Sequence, residues 1–178
     1  MALLSGLTAP TPAGFRAASV AADMNRPGCG PVRRGGAHDL PALLALERAS
    51  FSEDAQTRRS LRWLLCRANA LVLVSDAGPD RLAGALVLLF RRNSGVARIY
   101  SIAVDPAFRG QGLAEQMFET AVGDAAQRGC RLLRAEVRQS NIASLRFFER
   151  QGFERLCVLP GYYPGGEDGF RLGRTLAN

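Results

Sequence analysis

The stretch Ser101–Ala121, SIAVDPAFRGQGLAEQMFETA, runs from an apolar segment through a turn into a glycine-bearing helix start. Ile102, Ala103 and Val104 read as the end of a strand, which Asp105-Pro106 stops. Beyond the turn, Leu113, Met117, Phe118, Ala121, Val122 and Ala125 recur at helical spacing, and Gly129 is placed to close that helix. A helix N-terminus presents unpaired N–H groups and the positive end of a dipole. Arg109-Gly110-Gln111-Gly112-Leu113-Ala114 therefore reads as an anion cradle, because glycines let a phosphate approach the backbone closely. It matches neither G-x-x-x-x-G-K-S/T nor G-x-G-x-x-G, which speaks against nucleoside triphosphate and dinucleotide ligands.

Outward from this stretch the periodicities alternate. HDLPALLALERASF predicts a helix with Asp39 as N-cap, Pro41 in the first turn and Leu43, Leu44 and Leu46 on its apolar face. TRRSLRWLLCRAN predicts a second helix, with Leu61, Leu64 and Leu65 at helical spacing. ALVLVSD, RLAGALVLLFRR and VARIYSIAV follow as three strands able to pair antiparallel. After the helix opened by the cradle come the strand RLLRAEVR, the helix IASLRFFERQG capped by Ser140 or Asn141, and two strands in FERLCVLPGYY and EDGFRLGRTL. The order predicts a single mixed α/β sheet with helices packed on it.

With 178 residues the chain suits one domain. Residues 1–30, rich in Ala, Gly, Pro, Ser and Thr, make a poor secretory signal. They are expected to be a disordered extension, or the product of a start codon upstream of a true start at Met24. An organelle transit peptide is the weaker alternative. The domain is expected over 31–178, with order from near Val32. The longest apolar run, Leu82–Phe90, is strand length, so a soluble protein is expected.

All 23 basic residues are Arg and the net charge is +7. That charge permits attraction to phosphorylated partners. The arginines are scattered and lack interleaved aromatics, so no specific nucleic-acid binding is expected. Cys29, Cys66, Cys130 and Cys157 form no close pair and His38 is the only histidine, so no metal site is expected. Cys66 and Cys130 adjoin apolar runs and are expected to be core thiols in a reducing cytoplasm.

IAVDPAFRGQGLA followed by a helix resembles the acetyl-CoA motif of the GNAT acetyltransferases, Q/R-x-x-G-x-G/A, with Arg109, Gly112 and Ala114 in its defining positions. LRAEVRQSNIASLRFFERQGF resembles the second half of that fold, and LPGYYPGGEDGFRL resembles the end of its ribosomal-protein-alanine N-acetyltransferases (RimI-like). The resemblance covers about Val32 to Leu176. It implies a mostly antiparallel mixed sheet and acetyl-CoA as acetyl donor. Pantetheine would lie along Ile102, Ala103 and Val104, a main-chain N–H near Val104 would polarise the acetyl carbonyl, and pyrophosphate would rest on N–H groups from Arg109 or Gly110 through Gln111, Gly112, Leu113 and Ala114. Asn141 matches a position near the pantetheine, or it is only a helix cap.

Acetyl transfer to an amine needs a proton acceptor. Glu136 matches the base position of the RimI-like group; alternatively it is a strand Glu paired with a nearby Arg such as Arg134 or Arg138. Phe148 stands, at the end of the cofactor site, where the family commonly has the Tyr proposed to protonate the departing thiolate. Either the thiolate leaves without that acid, with Tyr162 or Tyr163 as substitutes, or the chain binds coenzyme A without transferring. Glu47, Glu53 and Asp54, with Tyr162 and Tyr163, are the expected acceptor contacts; the tail also supplies Glu167 and Asp168, and the resemblance implies that these two regions frame a peptide groove. They suit a peptide or protein N-terminal α-amine, with a small polyamine or amino sugar as the alternative. A monomer or homodimer is expected, with no membrane partner.

Overall fold

The computed structural model describes residues 28–51, 55–66 and 68–176. Seven strands form one sheet: β1 (Arg33–Arg34), β2 (Ala70–Asp76), β3 (Leu82–Phe90), β4 (Val96–Val104), β5 (Leu132–Arg138), β6 (Glu154–Leu159) and β7 (Gly169–Thr175). Four helices accompany them: α1 (Leu40–Ser50), α2 (Arg58–Cys66), α3 (Leu113–Gln127) and α4 (Ile142–Arg150). The spatial order is β1-β2-β3-β4-β5-β7-β6, antiparallel throughout except for β4 and β5, which run parallel. This is the mixed, mostly antiparallel sheet expected from the sequence.

The central strands are apolar at nearly every position because helices cover both faces. Leu71, Leu73, Leu86 and Leu88 face the core under α3 and α4, while Val72, Val74, Ala85 and Val87 face α1 and α2. Each such side chain contributes about 1.5–3 kcal/mol when fully buried. Gly129 ends α3 at φ +73°, and Cys130 N–H reaches back to the carbonyl of Ala125 at 3.0 Å.

Two local expectations are corrected. Asp39 stands at the N-cap position of α1 as expected, but its side chain makes no capping bond to the helix. Its carboxylate is buried, accepts from Gly36 N–H at 2.8 Å and takes both Nη atoms of Arg33, whose Nε bonds Asp76 on β2 at 2.8 Å. Arg33 lies in the short strand β1, which the periodicity did not reveal. Cys66 is exposed, because it falls about 140° around α2 from buried Leu61; Cys130 is buried as expected. Just before β1, Gly30 N–H donates to the Asp76 carbonyl on β2 at 2.8 Å. Residues 1–27 of the expected extension lie outside the described residues. No described helix is long and apolar enough to cross a membrane.

Candidate active site

The parallel pair β4–β5 holds register only from Val96↔Leu132 to Ile99↔Ala135, after which the strands part. The register of β4 against β3 explains the parting: Val87 pairs with Ser101 and Leu88 with Ile99, which leaves Tyr100 as a bulge. An extra residue bends its strand and re-aims the side chains beyond it. Both Tyr100 and Ser101 consequently face α1, where strict alternation would have turned Ser101 away.

Two clefts meet at this splay and share Phe51, Ile102, Asn141 and Ser144 in their walls. The larger, about 550 Å³, is bounded by Ile102–Val104, the glycine loop and the start of α3. Asp105 ends β4 by accepting from Ala107 N–H at 2.9 Å, Pro106 opens a short 3-10 turn, and buried Phe108 pins that turn to the core. Asp105 N–H bonds the Ala83 carbonyl on β3. By strand alternation the main-chain groups of Ile102 and Val104 therefore face the open edge, whereas those of Ala103 face β3. Arg109 Nε occupies the Val104 carbonyl at 3.1 Å, and the Arg109 amide bonds Pro106. Gly110 is thus the first amide of the expected cradle that is not turned back on its own turn.

Gly110 and Gly112 have φ of +72° and +78°, a backbone region that L side chains rarely adopt, and a Cβ at either would meet no protein atom within 4 Å. The loop is therefore open above its backbone, next to the unpaired first-turn amides of α3. Arg150, which sequence reasoning did not single out, lines the same cleft. An open edge of strand, a bare loop and two guanidinium groups fit an extended diphosphate ligand with an amide-bearing arm.

The smaller cleft, about 300 Å³, lies between β4, β5, α1 and the segment after β6. Glu136 is half-buried in its wall with its side chain 6% exposed, paired by Arg98 through Oε2 and bonded by Arg171 Nε to Oε1 at 3.1 Å. The pairing considered as the alternative to catalysis is present, though with Arg98 and Arg171 instead of Arg134 or Arg138. Glu47 is 2 % exposed; Ser101 Oγ donates to its Oε1 at 2.9 Å and Gln56 N–H to its Oε2 at 3.4 Å. Burial pushes the Glu47 carboxyl above the usual carboxylate range, against the pull of those two donors. Gln56 is held in turn by Tyr100 Oη at 3.2 Å and Ser60 Oγ at 2.8 Å.

Tyr162 and Tyr163 both line this cleft, with their rings edge to face at 5.2 Å. Tyr162 Oη accepts from Arg98 at 3.2 Å. Burial pushes the Tyr163 hydroxyl up to about 12, so it stays protonated. Phe148, expected at the end of the cofactor site, borders this smaller cleft and not the larger one; it is packed between Phe147 and Phe153. Asn141 caps α4, its side chain accepting from Ser144 N–H at 3.0 Å, and it lies where the clefts meet. Glu167 and Asp168 brace the chain turn. Glu167 accepts from Arg138 and Ser140, which hold its carboxyl down at about 2, and Asp168 accepts from Gly161 N–H. Glu53 and Asp54 lie outside the described residues.

Known proteins share sequence and fold with this chain. The chain is 37% identical over 75 residues to the [Ribosomal protein bS18]-alanine N-acetyltransferase of Escherichia coli K12, 40% of this chain and 51% of that protein. It thus spans about half the length of the curated ribosomal-protein acetyltransferases it matches. An uncharacterized N-acetyltransferase of Methanocaldococcus jannaschii is 29% identical over 83% of this chain and 92% of its own. The crystal structure of the ribosomal-protein-S18-alanine N-acetyltransferase from Escherichia coli superposes with a TM-score of 0.72 at 24% identity, over 83% of this chain and 95% of that one. The Acetyltransferase (GNAT) family profile matches residues 40–153, which contain the splayed strands, the glycine loop and both cleft carboxylates. This chain belongs to the GNAT acetyltransferase family.

Proposed function

We propose that the protein transfers an acetyl group from acetyl-CoA to a primary amine, most specifically the N-terminal α-amine of a peptide or protein. The observation that carries this reading is the meeting of two chemically different clefts at the parting of β4 and β5. One offers bare amides and arginines to phosphates; the other holds carboxylates and tyrosines where an amine would approach. Bound acetyl-CoA would supply an activated thioester. Ile102 and Val104 would hold its pantetheine arm along the open strand edge, with the Val104 N–H directed at the acetyl carbonyl. Gly110 through Ala114 would take the pyrophosphate, with Arg109 and Arg150 beside it.

An α-amine, with a pKa of about 8, loses its proton far more readily than a lysine side chain near 10.4, which suits direct attack without a covalent enzyme intermediate. The proton passes to a carboxylate of the smaller cleft. Glu136 is the one that the RimI-like resemblance implies, and Glu47 is the second in the same wall. The half-length match to ribosomal-protein acetyltransferases supports a protein N-terminus as acceptor.

Acceptor profiling tests this: coenzyme A release is followed with N-terminal peptides, lysine-bearing blocked peptides, polyamines and amino sugars. Release with free N-terminal peptides above the others supports the reading. Preference for a polyamine or amino sugar replaces the acceptor, and no release despite stabilisation by acetyl-CoA leaves a binding module.

A further inference from the structure

Glu47 and Glu136 share one cleft but not one situation. Glu136 has both oxygens engaged by guanidinium groups. Glu47 is the more deeply buried, and among the described residues no guanidinium pairs with it; its contacts are a hydroxyl and a main-chain amide. A buried carboxylate without a counter-charge is costly, and a protein that keeps one has a cation or a proton to give it. The contact that links it to the reaction space is Ser101, half-buried in the cleft wall next to Ile102, where the two clefts join. The bulge at Tyr100 is what turns the Ser101 hydroxyl onto α1 and into reach of Glu47.

We propose that Ser101 and Glu47 form the proton-accepting pair for the acceptor amine. The inference rests on the amine-acetylating reading above. The ammonium gives a proton to Ser101 Oγ as Ser101 passes its own to Glu47 Oε1. The freed nitrogen pair forms the bond to the acetyl carbon, the carbon–sulfur bond breaks with its electron pair kept by sulfur, and the second proton that the nitrogen sheds in becoming an amide passes through solvent to the thiolate. Glu47 then returns its proton to solvent. The arrangement requires no ion pair to open, because Ser101 already donates to Glu47 at 2.9 Å. The other titratable groups around the cleft are Arg98 and Tyr100 on β4, Glu136 and Arg138 on β5, and Tyr162 and Tyr163 after β6. Arg98 is committed to Glu136 and Tyr162, and Tyr100 to Gln56. Glu136 therefore serves as the anchor that holds Arg98 and Arg171.

The test is a cycle of Glu47→Gln, Ser101→Ala and the double variant, assayed by coenzyme A release with an N-terminal peptide across pH. Each single change should lower kcat by about 10²–10⁴ while acetyl-CoA still stabilises the fold. The double variant should be no slower than the slower single. Ser101→Thr should restore turnover, and Glu47→Gln should lose the acid limb of kcat/KM. An acid limb unchanged in Glu47→Gln, or losses that multiply in the double variant, overturns the pair. A binding measurement separates this from failure of the acetyltransferase reading. With coenzyme A present, the wild type should bind a free-amine peptide more tightly than its N-acetylated counterpart, and Glu47→Gln should lose that preference. Retention of the preference counts against the pair whatever the turnover.

Discussion

Glu136 on β5 stands directly across the sheet from Arg171 on β7, whose Nε donates to Glu136 Oε1 at 3.1 Å, while Arg98 on β4 pairs with the other oxygen. Three strands are thus tied by one carboxylate at the point where β4 and β5 separate. Removing its charge should loosen the cleft without disturbing the phosphate loop. Glu136→Gln is expected to lower turnover with little change in acetyl-CoA affinity, and to keep the acid limb of the pH–rate profile. Calorimetric titration of acetyl-CoA beside steady-state rates checks both parts; weakened cofactor binding would show that Glu136 acts on the other cleft.

Glu47 also makes a stability prediction. Its folded-state carboxyl lies above the ordinary value of 4.5, so between the two values the folded chain binds more protons than the unfolded one. Stability is lost as pH rises through that window, and the loss is absent in acid, where both states are protonated. Glu47→Gln should therefore melt higher than wild type near neutral pH, with the gap closing on acidification. Each tenfold difference in proton affinity corresponds to about 1.4 kcal/mol, and each kcal/mol to roughly 2–4 °C in a domain of this size. Melting curves over a pH series read this directly. A residue that lowers stability while supporting turnover is the pattern expected of a functional group.

Much of this site is legible in the sequence, and the limits have physical causes. The cradle from Gly110 to Ala114 is readable because a strand stop, glycines and a helical period are all local signals. Glu47 is readable too, since it falls seven residues after Leu40 on the buried stripe of α1, an unusual place for a charge. Ser101 is not readable, because alternation sends it to the wrong face and only the bulge at Tyr100 corrects it. Arg171 and Arg98 reach Glu136 through strand register, which brings together residues 35 and 38 positions away. The Asp39 cap fails for a similar reason: Arg33 and Gly36 N–H claim the carboxylate first.

Gly112 sits at φ +78° with open space where a Cβ would be. Gly112→Ala should cost about 1–2 kcal/mol of stability from the left-handed backbone, and its methyl group would stand in the proposed phosphate path. A fall in acetyl-CoA affinity of roughly tenfold or more, about 1.4 kcal/mol, is expected in a binding titration. Affinity at the wild-type level would move the phosphates off this loop.

Phe148 has no hydroxyl to offer a departing thiolate, although its ring borders the smaller cleft. Phe148→Tyr is expected to raise kcat by up to about 10², seen as faster single-turnover release of coenzyme A with KM little changed. An unchanged rate would show that the thiolate leaves unaided or that Tyr163, protonated up to about 12, already assists it.

The central claim, that two clefts meeting at the β4–β5 splay bring acetyl-CoA to a free α-amine, is tested most directly by incubating the protein with acetyl-CoA and one peptide in two forms, N-terminally free and N-terminally blocked. Stoichiometric coenzyme A release and a single acetyl group on the free N-terminus, with neither for the blocked form, is the predicted result. Equal acetylation of both forms, or none of either while acetyl-CoA binds, would contradict it.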